Sequence, residues 1–77
     1  MAIIKSRLRL LMAKKSMELG RTLTQRELAK ETGLSIPTIA RWVSGDLERV
    51  EADTLGALIE YFGCRLEDLL DFEPNAE

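Results

Sequence analysis

The 77-residue chain has no histidine and one cysteine, Cys64, which limits the bond-making chemistry open to it. Without histidine there is no imidazole general base, and no serine or cysteine triad built on one. The same counts exclude an internal disulfide and the usual zinc ligand sets. Cys64 follows Gly63 with no adjacent histidine, and reads as a small buried hydrophobe rather than a reactive thiol. Glu67, Asp68, Asp71 and Glu73 could mimic paired catalytic carboxylates or a cation site, but Leu69 and Leu70 are interleaved. Lacking the spacing of a calcium loop, they read better as a solvated helix face. No enzyme is expected, and no cofactor or metal. The polar groups of residues 25–44 are of another kind: Gln25, Arg26, Ser35, Thr38, Arg41 and Ser44 supply amide, guanidinium and hydroxyl groups, suited to recognition rather than to bond making.

Elements must position these groups, and the length allows one small domain of them. At 45% hydrophobic and 31% charged residues, the composition is that of a soluble globular protein. No apolar run approaches the ~18 residues of a membrane span, and no signal-peptide core is present. A cytoplasmic domain over residues 1–72 is expected, with a short frayed acidic tail over 73–77. The net charge of −2 conceals a division. Residues 1–45 hold nine Lys/Arg against three acids, and residues 46–77 hold two against ten, giving +6 and −8. One face suited to a polyanion, or merely uneven solvated helix faces, would produce this asymmetry.

Periodicity predicts five helices and no strands, an all-α fold. The first runs from about Ile3 to Leu19, with Ile4, Leu8, Leu11 and Met12 inward and Lys5, Arg7, Arg9, Lys14 and Lys15 outward. Thr24-Gln25-Arg26-Glu27 opens the second as a capping box, Thr24 accepting the Glu27 N–H and Glu27 reaching back. Gly33-Leu34-Ser35 forms a turn, and Ser35 caps a third helix, Ile36 to Ser44, with Pro37 in its first turn. A fourth covers about Ala52 to Phe62, presenting Leu55, Leu58, Ile59 and Phe62, and a fifth covers Leu66 to Leu70.

Two short helices joined by a three-residue turn containing glycine make a helix-turn-helix unit. Ala29 is small enough for close crossing, Gly33 tolerates the positive φ of the turn, and Leu28, Leu34, Ile39 and Trp42 face a shared core. On Gln25, Leu28, Ala29, Gly33, Leu34, Ile39 and Trp42 the chain resembles the Cro/cI-type (Xre-like) helix-turn-helix family, and Asp53 to Leu70 is similar to that family's closing helices. The resemblance implies a compact five-helix, lambda-repressor-like domain. It further implies a homodimer that places the third helix of each copy in the major groove of a pseudo-palindromic operator in double-stranded DNA. Three features depart from the family pattern: a longer link over Ser16 to Leu23, Ser44-Gly45 in place of Asn-Gly, and an acidic loop from Asp46 to Glu51.

With ~100° per residue, Ile39 and Trp42 define the buried side of the third helix, and Pro37, Ala40, Arg41 and Ser44 project oppositely, flanked by Ile36 and Thr38. Arg41 is the candidate for bidentate contact with guanine; Ile36, Pro37 or Ala40 would meet a thymine methyl, and Thr38 a base or phosphate. Gln25, Arg26 and Ser35 are candidate phosphate contacts. The cations of the first helix either add long-range attraction or simply solvate its outer face. Trp42 reads as core. Met17, Leu47, Val50 and Phe72 are candidate dimer contacts. The alternative function is a protein-interaction module of the same fold, an antitoxin-like partner with weak or auxiliary DNA binding, which the acidic second part and the acidic loop after Gly45 keep open.

Overall fold

Residues 3–6 are a strand, not the first turn of a helix. The computed structural model, which describes residues 3–74, has the order β1 (Ile3–Ser6), α1 (Leu8–Leu19), α2 (Gln25–Thr32), α3 (Ile36–Ser44), β2 (Asp46–Leu47), α4 (Ala52–Phe62), α5 (Leu66–Leu69) and β3 (Leu70–Glu73). The expectation of an all-α fold is corrected accordingly: five helices are joined by a three-stranded antiparallel sheet of order β2-β1-β3. The helical spacing of Ile4, Leu8 and Leu11 suited a helix, but Ile3 and Ile4 are β-branched and favour pleated backbone. The corner after β1 fixes the outcome. The Leu8 N–H donates to Ser6 Oγ (3.0 Å), the Ser6 N–H to the Gly45 carbonyl (2.7 Å) and the Arg7 N–H to the Leu69 carbonyl (2.7 Å). Hydrogen bonds to distant elements thus take the place of a further helical turn.

In the sheet, Ile4 stands opposite both Leu47 and Phe72, and Lys5 opposite both Asp46 and Asp71. The acids of β3 meet cations of the chain's start: Lys5 Nζ lies 3.2 Å from Glu73 and Arg7 3.4 Å from Asp71. The acidic residues expected on a solvated helix face therefore divide. Glu67 and Asp68 belong to α5, whereas Asp71 and Glu73 are strand residues in diagonal pairs. The frayed tail is corrected at Glu73, which ends β3; residues 75–77 lie outside the described residues. α5 stops at Leu69 because Leu70 turns extended (φ −118°, ψ 144°) and starts β3.

The core sits between the helices and the sheet. Trp42, Leu8, Leu28, Ile39, Leu58 and Leu69 are fully buried, joined by Leu11, Leu23, Ala29 and Leu47. Leu47 is thereby removed as a dimer contact, since β2 carries it inward, and Val50 is half-buried against the same cluster. The long link after α1 is ordered by its own bonds. Ser16 Oγ donates to the Met12 carbonyl and accepts from the Leu23 N–H, both at 2.8 Å, while Leu23 plugs into the core. Among the described residues, no helix is long and apolar enough to cross a membrane.

Candidate nucleic-acid interface

Local chemistry builds the α2–α3 corner. Thr24 Oγ1 accepts the Glu27 N–H at 3.1 Å, as expected of the cap. The reciprocal half of the capping box is corrected: Glu27 turns instead to Arg21, whose Nη1 and Nη2 donate to its two carboxylate oxygens at 2.7 and 2.6 Å. That bidentate bond holds the Glu27 carboxyl below its ordinary pKa and raises that of Arg21. It also ties the α1–α2 link to the start of α2.

At the other end of α2, Gly33 adopts φ 77° and its N–H closes on the Ala29 carbonyl at 2.9 Å. A β-carbon there would meet no neighbouring atom, so glycine is needed for the left-handed backbone and not for space. Thr32 Oγ1 donates to the Leu28 carbonyl (2.7 Å) and accepts from the Leu34 N–H (3.3 Å), carrying the chain through the turn. Ser35 then caps α3, its Oγ accepting the Thr38 N–H at 3.2 Å and lying 2.7 Å from Thr38 Oγ1. Two of the three hydroxyls expected to contact DNA, Ser35 and Thr38, are therefore engaged with each other at the N-terminal end of α3.

α3 is divided as its spacing predicts. Ile39 and Trp42 are completely enclosed, whereas Ile36, Pro37, Ala40 and Ser44 are exposed and Thr38 and Arg41 are half-exposed. Ile36 is 43% exposed, a large apolar side chain held outward beside a proline. Ser44 Oγ donates to the Arg41 carbonyl at 2.6 Å and helps finish the helix. Arg41 has a partner the sequence reading missed. Its Nη2 donates to Glu51 Oε1 at 2.8 Å, so an acid from the loop after Gly45 reaches the exposed flank of α3. The anomaly of an acidic loop at this place was the available signal.

Of the candidate phosphate contacts, Arg26 is exposed, Ser35 is engaged in its cap and Gln25 is half-buried at the start of α2. Gln25 lines a shallow groove of about 380 Å³ with Arg9 and Ala13 of α1 and Val43 of α3. Arg9 belongs to the five cations expected on the outer face of the first helix, and the fold separates them. Lys5 belongs to β1, and Arg7 just precedes α1 and pairs with Asp71. Lys15 stacks over the Tyr61 ring at 5.4 Å, and Arg9 alone of the five lines the groove with Gln25. Cys64, half-buried, has its thiol pKa raised by burial and by Asp68, in keeping with an unreactive side chain.

Compared with known protein families, residues 7–75 match the model of the Cro/C1-type helix-turn-helix DNA-binding domain. No curated protein and no solved structure gives a significant match. The match spans all five helices and β3, with β1 just ahead of it. The chain belongs to the Cro/C1-type helix-turn-helix DNA-binding domain family.

Proposed function

We propose that the protein is a sequence-specific regulator of transcription that inserts α3 into the major groove of duplex DNA. The observation that carries this reading is the division of α3. One side, carrying Ile39 and Trp42, is wholly enclosed, and the other presents Ile36, Pro37, Ala40, Arg41 and Ser44 from a capped helix. A helix of that width fits the major groove, and its N-terminal end is the part that reaches base edges. Arg41 reads guanine, the apolar trio contacts thymine methyls, and Gln25, Arg26 and Ser35 hold phosphates, with Arg9 beside Gln25.

A homodimer on a pseudo-palindromic operator completes the reading. It is supported by β3, an edge strand of the sheet, on which Phe72 is 61% exposed above a groove lined by Ile4, Leu66 and Leu70. An exposed aromatic beside an apolar groove marks an interaction surface. The same groove favours the second reading, a protein-binding module whose partner covers Phe72.

Selection from a random duplex pool, followed by fluorescence anisotropy, tests the function. Affinity for the selected duplex should fall by ~10³–10⁵ between about 50 and 200 mM salt if the dimer contacts about 6–10 phosphates. Arg41→Ala should relax preference at one base pair, whereas Gln25→Ala should weaken all duplexes alike. Flat, weak binding to every duplex, unaltered by Arg41→Ala, would leave only the protein-binding module.

A further inference from the structure

Glu51 occupies the N-cap position of α4, where a carboxylate has two possible employments. It can accept from the open N–H groups of the first helical turn, or it can reach away from the helix. Glu51 makes no side-chain cap hydrogen bond. Its Oε1 instead accepts from Arg41 Nη2 at 2.8 Å, ten residues back on α3. The pair is half-exposed, the side chains being 38% and 45% accessible, so its contribution to fold stability is small.

The remaining atoms of the guanidinium are constrained differently. Nε is buried and has no hydrogen-bond partner, so it is closed to a ligand. Among the described residues Nη1 has no hydrogen bond or ion pair, and Nη2 has a second proton beyond the one Glu51 takes. A guanidinium contacts guanine through two neighbouring N–H donors meeting O6 and N7. A long, flexible arginine must give up rotamer freedom to do this, and a partner that already holds one nitrogen reduces that loss. The carboxylate has a second effect. It lies within hydrogen-bond distance of the positive charge and would oppose any drift of that charge toward a phosphate.

We infer that Glu51 is a specificity-determining positioning residue: it holds the Arg41 guanidinium for a guanine and cancels that side chain's general attraction for the DNA backbone. The inference rests on the reading of α3 as the helix that enters the groove. Discrimination is a difference between affinities, so lowering affinity for every backbone while keeping one base contact increases it. The acidic loop after Gly45 thereby acts in DNA recognition, although its charge opposes simple binding.

The test uses the full chain, wild type and variants, on a duplex selected from a random pool and on copies with each guanine pair exchanged, over a range of salt. Glu51→Ala removes both anchor and charge. It should reduce preference for the guanine about tenfold and steepen the logarithmic salt dependence by about one per protomer. Glu51→Gln retains an acceptor without the charge, and should steepen the salt dependence while keeping the preference. Circular-dichroism melting should show all variants folded, since Glu51 supplies no cap bond. Unchanged preference and salt slope in Glu51→Ala, with the guanine lost in Arg41→Ala, would overturn the role of Glu51 alone. A guanine preference that survives Arg41→Ala would remove base reading by Arg41 as well as the role of Glu51. A pool that yields no sequence would overturn the DNA-reading function itself.

Discussion

The helix pair α2–α3 and the three-stranded sheet enclose the same core, but the ranges of their interactions differ. The hydrogen bonds that cap and turn the α2–α3 corner join residues three or four positions apart: Thr24 with Glu27, Thr32 with Leu28, Gly33 with Ala29, Ser35 with Thr38. The sheet instead brings Ile4 against Leu47 and Phe72, and its corner bonds tie Ser6 to Gly45 and Arg7 to Leu69. Local bonds close cheaply in entropy and need only the right residue types in order, whereas distant pairings form once the intervening chain has folded. A helix pair built locally on a frame closed by β1 and β3 follows from that contrast.

The largest expected effects probe whether both regions truly share one core. Trp42→Ala in α3 should cost about 3–5 kcal/mol, and Leu47→Ala in β2 about 2–5 kcal/mol, both read from urea unfolding. For so small a domain either loss approaches the whole stability. Should Leu47→Ala prove nearly neutral, the sheet would be an appendage and the contrast would collapse into one core plus trimmings.

A sharper and smaller test falls on the caps. Ser35→Ala removes the acceptor of the Thr38 N–H and should destabilise by about 1 kcal/mol. It also frees the Thr38 hydroxyl, so specific DNA affinity should fall by more than the loss of folded protein explains. Anisotropy at a temperature where both forms are fully folded separates the two effects.

These differences in range account for what could be read in advance. The spans of α2, α3 and α4, the caps at Thr24 and Ser35, the turn at Gly33 and the enclosure of Trp42 and Ile39 all follow from residue types a few positions apart. β1 does not, because Ile4, Leu8 and Leu11 satisfy a helical period equally well and the deciding partners lie about forty residues away or more. The reach of Glu51 to Arg41 is hidden for the same reason. The sequence displays an acid in a loop, and only the placement of the α4 N-cap shows that it can meet α3. The charge division likewise gains meaning from topology. Lys5, Arg7 and Arg41 of the basic part each pair with an acid of the other part, so the two halves are joined electrostatically and not only segregated.

The smallest effect expected concerns Arg21 and Glu27, the ion pair that replaces half of the capping box. The bidentate bond from Arg21 lowers the Glu27 pKa below its ordinary 4.5. A carboxyl with a depressed folded-state pKa binds protons more readily when unfolded. Its stabilisation is therefore fully present above the ordinary value and is lost as pH falls through the folded one. Arg21 is exposed and Glu27 half-buried at the surface, so the effect is slight and screened by salt. Melting temperature measured at about pH 7 and about pH 3 should drop slightly more for the wild type than for Arg21→Ala. The difference should shrink in high salt. An Arg21→Ala variant with the same acid sensitivity as the wild type would mean that Glu27 is held by the Thr24 end of the helix rather than by the link. In that case the α1–α2 connection would be ordered by Ser16 and Leu23 alone.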